Sequence, residues 1–324
     1  MTGLYDSYHR RIDYFRISVT DRCNLRCIYC ADGSTLHLPR SEVLTYEEIE
    51  RLVRVSSGLG VRAVRLTGGE PLLRPEVLRL VSMLRRVPGI DDVSMTTNGT
   101  LLARYAADLK QAGLTRVNVS LDSLRPERFA AITGVACLDR VLEGIEVARR
   151  AGLEPVKLNT VVMRGINDDE IVDFGRLTIN EGVHIRFIEH MPVSANNGHD
   201  RLFTVLEMMA VLRQSFGELE AVTLDGRGPA RYYRLPGARG TIGFIQPMTE
   251  RFCAECNRFR LTADGHLRPC LLSGLQMDVK ERLRNGISDT GLKELLISAA
   301  ALKPEHHHMA EGENSRCQMQ QIGG

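Results

Sequence analysis

The sequence predicts an α/β protein built on parallel strands, on three observations. Short β-branched runs alternate with amphipathic stretches through the first two thirds of the chain, glycines punctuate the ends of the amphipathic stretches, and polar or chemically unusual residues gather just after the β-branched runs. Such alternation calls for βα units joined by right-handed crossovers, arranged either as an open doubly wound sheet or as a partial barrel.

The first strand is expected over 15–19, with further strands over 63–66, 93–97, 116–121, 157–162 and 185–188. Thr45 and Glu48 form a capping box ahead of Ile49, Leu52 and Val53, which starts the first helix. Helical patterns follow over 75–84, 101–112, 139–151 and 168–180, and Gly60, Gly113, Gly152 and Gly182 are placed to take left-handed C-cap conformations. Polar segments at 21–30, 67–71, 96–99, 120–123 and 189–192 follow the strands, where parallel α/β folds build their active sites. From about Thr223 the rhythm breaks: glycines and prolines from Gly226 to Gly243 interrupt the chain, and short β segments such as 232–235 replace helices. Two regions are therefore expected, 1–222 and 223–324.

A chain of 324 residues accommodates about two domains or one barrel with an extension. With 42 basic and 40 acidic residues the net charge is +2, so no global field recruits nucleic acid or an anionic membrane surface, and any anion site must be local. No apolar run approaches the roughly 18 residues needed to span a bilayer, and residues 1–11 are polar with no hydrophobic signal core, so a cytoplasmic protein is expected. Eight cysteines are too few for a secreted disulfide scaffold, and their close spacing reads as metal binding in a reducing compartment.

Six of these cysteines form two triplets: Cys23, Cys27 and Cys30 in a C-x3-C-x2-C spacing, and Cys253, Cys256 and Cys270 in a C-x2-C-x13-C spacing. Each triplet is one thiolate short of filling a four-iron cube, which leaves one iron free to bind another ligand. A structural zinc site wants four ligands, and no histidine lies close in sequence to complete the first triplet. Tyr29, between two of the thiols, is placed to pack over a cluster. Cys137 and Cys317 read as a buried small hydrophobe and a tail thiol.

The run Cys23-Asn24-Leu25-Arg26-Cys27-Ile28-Tyr29-Cys30, followed by Thr67-Gly68-Gly69-Glu70-Pro71, resembles the radical S-adenosylmethionine (SAM) superfamily. The resemblance implies a partial (βα)6 TIM-type barrel and a 4Fe-4S cluster whose open iron chelates SAM. Reductive cleavage then yields a 5'-deoxyadenosyl radical, and Tyr29, Gly69, Ser120 and Met191 contact the SAM. The segment Cys253-Ala254-Glu255-Cys256-Asn257-Arg258-Phe259-Arg260 with Cys270 looks like the GTP 3',8-cyclase family within that superfamily, as do Phe15-Arg16-Ile17-Ser18, Asn159, Gly165-Ile166-Asn167-Asp168 and Ile322-Gly323-Gly324.

That closer resemblance implies a C-terminal extension that closes the barrel and carries a second 4Fe-4S cluster, whose open iron takes the guanine of GTP. It implies Arg16, Arg65, Thr96, Lys157, Arg258 and Arg260 as GTP contacts, with Arg186 a sixth cation. The planar fork of arginine suits phosphate, and charges that interrupt β-branched runs inside a barrel call for an opposite charge. It further implies a lyase in molybdenum cofactor biosynthesis that removes the ribose 3' hydrogen and joins C3' to C8. The Gly323-Gly324 tail then acts in the active site, a low-potential electron donor feeds the cluster, and a cyclic pyranopterin monophosphate synthase receives the product. A homodimer is compatible with the sequence. The family continues after the third cysteine with Met-Pro, where this chain has Ala31-Asp32. The competing readings are a radical SAM peptide or protein maturase with an auxiliary cluster, which usually carries more cysteines in its C-terminal extension, and a non-catalytic iron-sulfur protein.

Two four-iron cubes set an expected content of about eight iron and about eight sulfide per chain after anaerobic reconstitution. A colorimetric assay that plateaus at about four of each leaves one triplet without its cluster.

Overall fold

The computed structural model describes residues 3–30, 37–191, 201–224, 228–250 and 252–307. Six strands, β1 (Tyr14–Ser18), β2 (Ala63–Thr67), β3 (Asp92–Thr97), β4 (Arg116–Ser120), β5 (Lys157–Val162) and β6 (His184–Glu189), lie side by side in sequence order and run parallel. That consecutive order decides for the barrel, because a doubly wound sheet reverses direction at a switch point. The crossovers carry helices α1 (Tyr46–Gly58), α2 (Val77–Arg85), α3 (Leu102–Gln111), α4 (Pro126–Thr133), α5 (Leu138–Arg150) and α6 (Ile171–Asn180). The Thr45–Glu48 capping box is present, and Gly60, Gly113, Gly152 and Gly182 all have positive φ. Sequence reading missed α4, the later α7 (Val205–Phe216), which opens on its own capping box, Thr204 with Glu207, and two helices after residue 279, where short β segments alone were expected.

Beyond β6 come β7 (Glu220–Val222), β8 (Arg231–Arg234), β9 (Thr241–Ile245), β10 (Arg258–Leu261), β11 (His266–Arg268) and β12 (Met277–Asp278), then α8 (Lys280–Arg284) and α9 (Asp289–Ala301). The extension extends the wall at both edges. β9 pairs parallel with β6 at one side and β10 pairs parallel with β1 at the other, and antiparallel strands continue outward to give a 12-stranded sheet. The change of rhythm expected at 222/223 falls between β7 and β8, which pair antiparallel within that same sheet. None of the described helices is long and apolar enough to cross a membrane.

The period-2 alternation of a strand sends neighbouring residues to opposite faces. Phe15, Ile17, Val64, Leu66, Val93, Met95, Val117, Val119, Ile185 and Phe187 belong to the buried core, together with Ile49, Leu52, Leu80, Leu109 and Phe174 of the helices. Phe15 meets Phe259 edge-on at 6.2 Å, which couples β1 to β10. The intervening residues, Arg16, Arg65, Ser94, Thr96, Asn118, Lys157, Asn159 and Arg186, occupy the other face. An apolar outer face under the helices and a polar inner face around a hollow are what a barrel with an interior site requires.

Candidate active site

The loop leaving β1 carries the first cysteine triplet and is fastened to the loop leaving β2. Gly69 N–H donates to Thr20 C=O and Glu70 N–H to Arg22 C=O, both at 2.7 Å. The approach is so close that a Cβ on Gly68 would stand 2.4 Å from Thr20 O, and one on Gly69 2.2 Å from Arg22 O, so no residue with a side chain fits at either place. Glu70, wholly buried, accepts from Leu72 N–H, Thr97 Oγ1 and Asn98 N–H; burial outweighs these bonds and pushes its carboxyl up to about 7. Asn98 Nδ2 in turn donates to Asn24 Oδ1 at 2.9 Å and reaches Cys23 Sγ at 3.8 Å. A chain of contacts thus ties the β2 and β3 exits to the cysteine loop.

Cys23, Cys27 and Cys30 line a pocket of about 720 Å³, mouth included, with Tyr29, Gly69, Thr96, Ser120 and Asp122. Three of the four residues expected at SAM, Tyr29, Gly69 and Ser120, are therefore brought together. The fourth, Met191, instead lines the neighbouring cavity and packs with Leu272, Met248 and Cys270. The Tyr29 hydroxyl donates to Asp122 Oδ2 at 2.7 Å, and Val161 N–H donates to Asp122 Oδ1 at 2.8 Å, so β4 and β5 hold the cysteine loop from the far side. Burial raises Asp122 to about 6 and the Cys30 thiol to about 12.

The second triplet lies at the other end of the β1–β10 pair. Cys253 and Cys256 precede β10, and Cys270 follows the antiparallel β11, which returns the chain to the same end. The five residues of β1 separate the two triplets by roughly 16 Å. Buried Lys303 donates to Arg258 C=O and Pro269 C=O and fixes this corner; Arg10 Nη1 donates to Cys253 C=O at 2.7 Å. Burial alone would raise the Cys256 thiol, but Arg258 and Lys303 outweigh it and lower it to about 6. Among the described residues no three His, Cys, Asp or Glu converge on one metal ion. Thiols spread around a shared hollow suit a multi-iron cube, whose ligands bind different corners, better than a single tetrahedral ion.

Between the triplets runs a cavity of about 1040 Å³, mouth included, and Thr96 lines both this cavity and the first pocket. Its walls carry Arg16, Arg65, Arg186, Arg258 and Arg260 alongside all three cysteines of the second triplet, and no described lining residue is an Asp or Glu. Strand register sets the cations side by side, with Arg16 opposite both Arg260 and Arg65. Burial first, then Arg260, holds Arg16 well below the usual arginine range; burial and Arg258 bring Arg260 to about 10. Asn118, with its amide oxygen turned inward, accepts from Arg65 and, at 3.1 Å, from Arg186.

Lys157 is buried behind this wall rather than on it. Its Nζ donates to the Tyr232 hydroxyl at 3.3 Å and lies over that ring, while Arg186 Nε donates to the same hydroxyl at 2.9 Å. Tyr232 comes from β8 and crosses Gly243 of β9, where a Cβ would press on the ring at 2.8 Å. Burial and the charges of Arg186, Arg116 and Arg65 lower Lys157 to about 7. Sequence reading missed Tyr232, Asn118, Asp122 and Tyr14. The inward alternation within each strand signals Asn118 and Tyr14, whereas nothing local signals Tyr232. Gly323, Gly324, Cys317, His308 and the Ala31-Asp32 loop lie outside the described residues.

The Radical SAM superfamily model matches residues 17–178, and the Molybdenum Cofactor Synthesis C model matches residues 183–309. A protein of Pelotomaculum thermopropionicum named GTP 3',8-cyclase is 50% identical over 99% of this chain and 100% of its own length. One of the same name from Thermodesulfovibrio yellowstonii is 49% identical over 98% of this chain and 99% of its own. Among solved structures, Streptococcus suis SuiB bound to S-adenosylmethionine aligns with a TM-score of 0.65 at 14% identity, covering 89% of this chain and 69% of that one, a likeness of fold.

An anion bound among these cations returns the proton to Lys157. Above pH 7 the free protein has lost that proton, so affinity for inorganic triphosphate should fall as pH rises, by up to about tenfold per unit from this group. Calorimetry should show proton uptake that disappears in Lys157→Met; the same uptake in both proteins would contradict the assignment.

Proposed function

We infer that this chain, which belongs to the GTP 3',8-cyclase family of radical SAM proteins, converts GTP to 3',8-cyclo-7,8-dihydro-GTP, the first step of molybdenum cofactor biosynthesis. The observation that carries the reading is a pair of adjoining hollows that share Thr96, one lined by the first cysteine triplet and the other by five arginines and the second triplet. In this reading Cys23, Cys27 and Cys30 hold one 4Fe-4S cluster, and Cys253, Cys256 and Cys270 hold the other. Bound together, the first cluster and SAM supply a carbon radical able to remove one hydrogen atom.

The residues of the chain do the positioning. The Gly68-Gly69 approach and the Glu70–Asn98 network fix the first cysteine loop, and Tyr29 held by Asp122 packs beside it. Arg16, Arg65, Arg258 and Arg260, with Lys157 and Arg186 behind and beside them, take the triphosphate, whose charge offsets their burial. The second triplet takes the guanine end. Held at both ends, the ribose lies across Thr96 with C3' facing the first pocket and C8, and such fixed orientation lowers the barrier to ring closure. Ile188, Ile245 and Leu272 line the remainder and exclude water from the reacting carbon. Gly323 and Gly324 take part in the cyclisation, a low-potential donor would supply the electron for the first cluster, and a cyclic pyranopterin monophosphate synthase receives the product.

The test compares wild type, Cys27→Ala and Cys256→Ala under anaerobic, reducing conditions with SAM and GTP. Wild type should yield 5'-deoxyadenosine together with a product that oxidises to a fluorescent pterin. Cys27→Ala should yield neither, and Cys256→Ala should retain uncoupled 5'-deoxyadenosine formation while losing the pterin. Equal loss of both products in the two variants would contradict separate roles for the triplets.

A further inference from the structure

We propose that the Tyr14 hydroxyl is an additional substrate contact that donates a hydrogen bond to a terminal phosphate of the nucleotide; this rests on reading the cavity as the GTP site. Tyr14 opens β1 two residues before Arg16, so both side chains leave the same face of the strand. It is 3% exposed and lines the cavity, and its hydroxyl is fully buried with no hydrogen-bond partner among the described residues. The Arg65 guanidinium lies over its ring at 5.6 Å, and strand pairing sets Arg258 directly across from it.

A phenol carries one donated hydrogen and acceptor lone pairs, whereas a guanidinium carries only donors. The arginines flanking Tyr14 therefore cannot accept its proton. A buried hydroxyl left without an acceptor is destabilising, and phenylalanine would fill the same space without that penalty. A phosphate oxygen removes the penalty, since it accepts from the phenol while offsetting the charge of the flanking arginines. A neutral donor also adds a contact without adding another like charge to an already crowded cationic wall. Arg258, directly across from Tyr14, belongs with the arginines that take the triphosphate, so the hydroxyl reads the length of the phosphate chain.

The test is Tyr14→Phe in the anaerobically reconstituted holoprotein, with dissociation constants for GTP and GMP by calorimetry and melting temperature without nucleotide. Loss of one hydrogen bond to a charged acceptor should raise the GTP constant about tenfold and leave the GMP constant within about twofold. The nucleotide-free melting temperature should hold or rise. An unchanged GTP constant, an equal loss for GMP, or a lower melting temperature without nucleotide overturns the contact. Wild-type protein that fails to bind GTP overturns the reading of the cavity itself, which separates the two failures.

Discussion

Positive charge gathered inside a parallel barrel, on a wall where no described lining residue is an Asp or Glu, is the constraint on which the rest of this structure depends. Arg65, Arg186 and Arg260 are all more than nine-tenths buried, Lys157 is 3% exposed, and Arg16 beside them is partly buried. Such charges are costly in a low-dielectric interior unless an opposite charge or strong hydrogen bonds accompany them. Elsewhere the protein follows the ordinary rule: Arg10 is paired with Asp6, Arg116 with Asp92, and Arg128 with Glu170. Along the inner face of the barrel the cations are instead gathered together. A chain of near-neutral net charge has thereby concentrated one sign of field where a polyanionic ligand can enter.

The pairing of β10 with β1 makes this possible. Residues more than 240 positions apart in sequence become neighbours, and the register places Arg258 and Arg260 beside Tyr14 and Arg16. The same pairing fixes the two cysteine triplets at opposite ends of a five-residue strand, so whatever bridges them must be about as long as a nucleotide. Thr96, shared by both hollows, marks the point where the two chemistries meet. The extension is accordingly part of the barrel wall, and its loss would remove β9 and β8 from one edge and β10, β11 and β12 from the other, as well as three thiols.

Much of this was legible in the sequence, and for identifiable reasons. All six alternating strands were read within about a residue of their ends, because a β-branched run with inward charges has few other interpretations. The cysteine triplets and the Gly-Gly pair carry their spacing in the local chain. Met191 was expected at the SAM pocket but lies in the adjacent cavity, since the path after β6 turns toward Leu272 and Met248, which no local pattern reveals. Lys157 was read as a direct lining residue, yet Tyr232 from a distant hairpin stands against it. Both Tyr232 and its gap at Gly243 depend on an antiparallel pairing that single-strand patterns do not specify. Asp122 was passed over because its importance comes from Tyr29, nearly a hundred residues earlier.

In the proposed function the two hollows form one reaction chamber, in which a radical generated at the first acts on the ribose of a nucleotide anchored at the second. GTP deuterated at C3' tests it most directly. The 5'-deoxyadenosine recovered after turnover should carry the deuterium, as read by mass spectrometry. Deuterium retained in the nucleotide product, or label acquired instead from solvent, would contradict it.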